Sequence, residues 1–212
     1  MLIFCASLIT LLAPHMHIDY DSFFYHEEEA PEPLSVRLHP IVEKDFNILS
    51  SKARDIATFS FYSQLTQSRE IASLVLEAAV EHNIQDVEIL FALMWVESRF
   101  QPNAVNVNTT SLDRGLFQLN SLTYAAYPTR YFFDIEWNIR TGVQHYATEL
   151  AIVNGNHQYA LHAYNAGRAR RFHPPPHTRV YANRVLQVAE EFHAQKLEYI
   201  TQTRLRHMLA LL

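Results

Sequence analysis

The stretch that most constrains the fold is "DVEILFALMWVES", residues 86–98. Between Val87 and Val96 only Glu88 is polar. Wound as a helix, such a run is apolar on every side, so it has to be enclosed by other elements. Asp86 reads as its N-cap. Glu97 follows directly, a carboxylate delivered to the edge of a core. Removal from water disfavours the charged form and raises a carboxyl pKa, which would suit Glu97 to act as a general acid near neutral pH. The helix alone leaves a second reading open, in which Glu97 simply turns to solvent.

Elements to enclose the run are legible on both sides. Ile71, Leu74, Val75, Ala78 and Ala79 recur at helical spacing after Ser68, and Asn83 is a natural left-handed stop. A further helix is marked by Ile139, Gly142, Val143, Tyr146, Ala147 and Leu150, closed by "NGN" at 154–156. A short one follows in "QYALHAYNAG", ending at Gly167. After "PPP" at 174–176, a last stripe runs through Tyr181, Val185, Val188, Ala189 and Phe192. The tail "RLRHMLALL" extends this helix or covers an edge. No repeat and no alternating strand pattern of useful length occurs. With only 4 glycines in 212 residues, the expectation is a mainly α fold, a helical domain around a central buried helix carrying Glu97 at its C-terminal end.

Charge and cysteine usage exclude several classes. A net charge of -5 without a basic stripe argues against nucleic acid as partner. One cysteine, Cys5, excludes an intrachain disulfide and a cysteine-based zinc site. Cys5 lies in the apolar run of residues 2–13, "LIFCASLITLLA", short for a bilayer span but of the length of a signal-peptide core. Against export stand the absence of Lys or Arg before it and Pro14 directly after it. Residues 14–67 read as an acidic, proline-containing tether with uncertain helices, one near residues 41–50. The catalytic region is expected over 68–195 and a helical tail over 196–212.

The stretch "ESRFQPNAVNVNTTSLDRGLFQLN" resembles the signature of the lysozyme-like superfamily, most closely the lytic transglycosylases of the soluble (SLT) type. The matching residues are Glu97, Ser98, Phe100, Pro102, Ala104, Gly115, Leu116, Gln118 and Leu119. Three more segments follow in order: "NIRTGVQHY", "ALHAYNAG" and "TRVYANRV". What this implies is a lysozyme-like domain cleaving peptidoglycan glycan strands between N-acetylmuramic acid and N-acetylglucosamine, leaving 1,6-anhydromuramyl ends. The resemblance implies Glu97 as the single catalytic acid, later base. It also implies Gln118, Tyr164, Asn165, Tyr181, Asn106 and Ser98 as substrate-binding residues. It implies no cofactor and an envelope location, with peptidoglycan glycan strands as the partner; such enzymes also accompany wall-spanning secretion or flagellar machinery, and a monomer is expected.

Two features complicate this. "SLDRG" also resembles the c-type lysozyme loop and puts Asp113 in the place of a second acid, so a hydrolysing muramidase using Glu97 and Asp113 is the alternative. A third reading is a wall-binding module of low turnover. Asp113 is otherwise expected to cap the following turn or pair with an arginine. Gly115 is expected to let backbone approach a bound sugar. The 12 histidines suggest a metal most at "HPPPH", but three prolines forbid a helix between His173 and His177, so no metal site is expected. His145 and His162 receive no chemistry.

Overall fold

Ser68 starts the enclosing helices as its residue type predicts: its side chain accepts a hydrogen bond from the Ile71 amide. The computed structural model describes residues 51–209. The sequence expectations for residues 1–50, the signal-like run and the helix near 41–50, lie outside the described residues. Six α-helices are present among those described: α1 (Ser51–Leu65), α2 (Arg69–Glu81), α3 (Glu88–Ser98), α4 (Ile135–Ile152), α5 (His157–Ala166) and α6 (Pro176–Leu209). All belong to one compact unit, Asp45–Leu212. Packing therefore extends N-terminally of Ser68, because α1 contacts both α2 and α6.

Helix α3 is central. Every residue from Ile89 to Trp95 is buried, and its most extensive contacts are with α6. At roughly 25 cal/mol per Å² of apolar surface removed from water, so uniform a burial makes α3 the main hydrophobic anchor of the unit. Glu88, in its first turn, is buried as well and bonds to Lys196 and His193 of α6. These contacts outweigh the cost of burying the charge and hold its carboxyl below the usual range.

Asp86 is not the cap of α3. The capping position falls on Val87, which makes no side-chain bond to the helix. The Asp86 carboxylate instead lies 3.1 Å from Nε2 of His157, whose Nδ1 is 2.6 Å from the Tyr146 hydroxyl. A neighbouring imidazole at the start of α5 thus outcompetes the local amide. Asp134 and Asn156 do cap α4 and α5, accepting from Trp137 N and Tyr159 N. Asn83, Asn154 and Gly155 adopt positive φ where the chain leaves α2 and α4. The C-terminal tail continues α6 without a break to Leu209.

The sequence showed no strands, yet α3 is followed by a three-stranded antiparallel sheet, β1 (Val105–Val107), β2 (Leu112–Arg114) and β3 (Leu119–Asn120). Strands of two or three residues are too short to express an alternating pattern, and β1 is exposed throughout.

Candidate active site

Glu97 sits in the last turn of α3. Arg99 and Phe100 then take left-handed φ values of 54° and 59°. This turns the chain sharply, so that residues 101–121 fold back as the small sheet beside the helix end. The result is a cavity of about 530 Å³ lined in part by Glu97. Asn106, Asp113 and Gln118, from the small sheet and its turns, and Tyr164, Asn165 and Tyr181, from α5 and α6, are among the residues lining it.

The Glu97 carboxyl is packed among protein groups while its residue keeps a partly open surface. Burial pushes its pKa up to about 7. The Tyr181 hydroxyl, which donates to Oε1, pulls the other way, and the nearby Asp113 charge adds a smaller push upward. Tyr181 itself is held protonated by burial and then by the Glu97 charge, so it remains a donor. Tyr164 is likewise kept protonated and donates to the Phe117 carbonyl at 2.7 Å.

Asp113 neither caps a turn nor pairs with an arginine. Its Oδ1 accepts from Asn120 Nδ2 and its Oδ2 from Asn108 Nδ2, both at 2.7 Å. The antiparallel register sets Asp113 opposite Asn120 on β3, and Asn108 reaches the carboxylate from the turn just after β1. Two amide donors satisfy a carboxylate without the geometry a guanidinium would demand.

Gln118 lines the cavity, but its Nε2 is already bonded to the carbonyls of Gly115 (2.8 Å) and Ala104 (3.2 Å). Oε1 is therefore the atom it retains for a ligand. Asn165 is the reverse case: its Oδ1 accepts from the fully buried Thr178 hydroxyl at 2.8 Å, leaving the amide nitrogen as a donor. Asn106 Nδ2 makes only a long 3.4 Å contact to Asn108.

Ser98 is not part of the site. It is buried, and its hydroxyl donates to Met94 O at 3.0 Å. One residue along a helix turns a side chain by roughly 100°, so Ser98 faces the core when Glu97 faces the cavity. Gly115 is also placed differently from expectation. A Cβ there would lie 2.2 Å from the Phe132 carbonyl oxygen and 2.3 Å from Asn138 Nδ2, so the close approach is to protein and not to a sugar.

Several residues to which the sequence reading gave no role prove to shape the site. Asn138 is buried and bonds three backbone groups: Phe117 N, Arg114 O and Phe132 O. Gly142 leaves room for the Phe117 ring, which a Cβ would meet at 2.3 Å. Both stand in the quoted "NIRTG" segment, which was the available signal. His145, Tyr124 and His177 line the cavity too; Tyr124 bonds His145 Nδ1 at 3.0 Å, and burial lowers the His145 pKa, so this imidazole is neutral at neutral pH. His162 is a packing residue with Nδ1 3.0 Å from Arg171 O. Among the described residues no group of three or more His, Cys, Asp or Glu is arranged to hold a metal.

Comparison with curated proteins finds no match. Among solved structures, similarity is found to the lytic transglycosylase Slt of Pseudomonas aeruginosa, determined as an inactive mutant, at 24% identity and a TM-score of 0.49. That match covers 60% of this chain and 24% of the other, so the chain spans about a quarter of the length of that structure. A family model described as Transglycosylase SLT domain matches residues 73–173, which run from within α2 to the loop before α6.

Proposed function

We propose that this cavity cleaves the β-1,4 bond between N-acetylmuramic acid and N-acetylglucosamine in peptidoglycan, without water. The observation that carries the reading is a carboxyl poised near pKa 7 in the lining of a largely polar cavity. Such a group is protonated often enough to act as an acid and is basic enough to take a proton back. Glu97 gives its proton to the glycosidic oxygen as the bond to the muramyl C1 breaks. The substrate's own acetamido oxygen shields the developing cation. The muramyl 6-hydroxyl then bonds to C1, and the Glu97 carboxylate accepts its proton. One bond is exchanged for another, and the proton returns to its origin.

Tyr181 stays on Glu97 through both steps and stabilises the carboxylate between them. Asn165, Gln118 and Asn106 offer one amide donor, one carbonyl acceptor and one amide respectively, a set suited to acetamido and hydroxyl groups. Peptidoglycan is an envelope polymer, which is where the chain would act; residues 2–13 fit an export signal on this reading.

The experiment is mass analysis of products from purified sacculi. Anhydromuramyl ends are expected, and reducing ends alone would sink the reading. The muramidase alternative draws on Asp113, a fixed carboxylate on the cavity wall, and Asp113→Asn separates the two. A required second acid would lose activity by roughly 10³-fold or more, whereas a wall residue held by Asn108 and Asn120 should lose about tenfold or less.

The pH profile gives an independent check. Acid catalysis needs protonated Glu97, so kcat/KM should fall as pH rises through about 7. Tyr181→Phe removes the one influence that lowers this pKa, so the falling limb should move to higher pH. An unmoved or lowered limb would show that the hydroxyl does not tune Glu97.

A further inference from the structure

The cavity volume is that of a site for one small ligand. A polymeric strand, the substrate in the reading above on which this inference rests, has to leave it and run over the surface. One border of the cavity is aromatic. Six aromatic residues lie from Tyr124 to Trp137 in "YAAYPTRYFFDIEW", and five of them, Tyr124, Tyr127, Tyr131, Phe132 and Trp137, form a connected cluster in which only Phe132 is buried. Tyr124 lines the cavity and meets Trp137 edge-on at 6.1 Å. Trp137 in turn contacts Tyr127 at 4.9 Å and Tyr131 at 5.8 Å.

These rings are tilted or edge-on to one another, at 52° to 83°, and none is stacked flat on its neighbour. Tyr127 is 48% exposed, and the adjoining Leu122 is 62% exposed. Tyr127 is exposed and Tyr124, Tyr131 and Trp137 are half-buried, on a turn, the 3-10 segment Thr129–Phe133 and the first turn of α4. Sugar rings present flat faces of C–H groups bordered by hydroxyls, and tyrosine and tryptophan present flat apolar faces bordered by an O–H or N–H. The two surfaces fit without leaving a buried polar group unpaired.

We propose that Tyr127, Tyr131 and Trp137 form a stacking platform, continuous with the cavity through Tyr124, that holds the sugar rings of the glycan strand extending beyond the cleavage point. The occupant is a peptide-free face of an N-acetylated glycan. Its continuity with the cavity distinguishes it from an isolated apolar patch.

The test uses the full chain carrying Glu97→Gln, so that binding is read without cleavage. The ligands are purified peptide-free glycan strands and a four-sugar N-acetylglucosamine oligomer, titrated calorimetrically. Adding Tyr127→Ala should weaken strand binding about tenfold, the loss of one aromatic stacking partner, and tetramer binding by less than about twofold. Tyr127→Phe, which keeps the ring, should bind strands nearly as the parent does. Strands should perturb Trp137 fluorescence more than the tetramer; the other tryptophan, Trp95, is buried. Equal loss for both lengths, or no loss for strands, overturns the platform while leaving the cleavage reading intact. A self-association seen by sedimentation and abolished by Tyr127→Ala also overturns it, since a second copy would then be the occupant. Failure of the parent to bind either glycan overturns the platform together with the reading it rests on.

Discussion

Glu97→Gln should lower product release from sacculi by at least roughly 10³-fold while making the protein more stable at alkaline pH. Glutamine has the same shape and still accepts the Tyr181 hydrogen bond, but it has no proton to deliver to a leaving oxygen and cannot take one back. The stability effect follows from the raised pKa. An unfolded glutamate titrates near 4.5 and the native Glu97 near 7. Below 4.5 both states are protonated and the site costs nothing. Between 4.5 and 7 the unfolded chain sheds its proton and the native one retains it, so stability falls as pH rises. Above 7 the full penalty is present. Relative to the wild type, the variant should therefore gain ~2 kcal/mol more at pH 8 than at pH 5. Urea denaturation at the two pH values measures this. A variant that is inactive but shows no pH-dependent gain would mean that the carboxyl is better solvated than its packing implies.

The helical frame was legible because its signal is repetitive. Ile71 to Ala79 and Ile139 to Leu150 repeat the helical spacing several times over, and each repetition reports the same buried face. The run around Leu90 gave its central place by having no polar face at all. Single side chains were less legible where they choose between partners. Asp86 has the residue type of an N-cap, yet a histidine 71 positions away takes its carboxylate. Asn120 and Asn108 carry no signal of their own; strand register brings the first to Asp113 and the turn after β1 brings the second. Ser98 misled for a geometric reason, since adjacency in sequence to Glu97 means divergence on a helix.

Asn138 and Gly142 show a further limit. They stand one turn apart on α4 and act on the 115–118 turn, Asn138 by bonding its backbone and Gly142 by admitting the Phe117 ring. A sequence motif preserves such residues as letters, but it does not say whether they touch a substrate or hold up the wall behind it. On this structure their part is to position Gln118 and the strand that carries Asp113.

Gly115→Ala should cost roughly 3 kcal/mol of stability and about 10²-fold or more in turnover. Two effects combine at this position. Its φ of +78° is a conformation that an L side chain adopts at a cost of about 1–2 kcal/mol. The added methyl would also press on the Phe132 carbonyl oxygen and the Asn138 amide, neither a flexible side-chain end. Asn138 cannot yield without loosening its bonds to Phe117 N, Arg114 O and Phe132 O. The turn must move instead, taking Gln118 and its cavity wall away from Glu97. Gly167→Ala isolates the first effect. Its φ is similar, +84°, but nothing lies within 4 Å of the added carbon. Only conformational strain is expected there, about 1–3 kcal/mol at its ψ of 151°, with turnover within about threefold of wild type. Denaturation curves and turnover of both variants, measured side by side, decide the matter. Equal losses of turnover in the two would mean that backbone strain alone accounts for the glycine, and that the Asn138 contact does not fix the cavity wall.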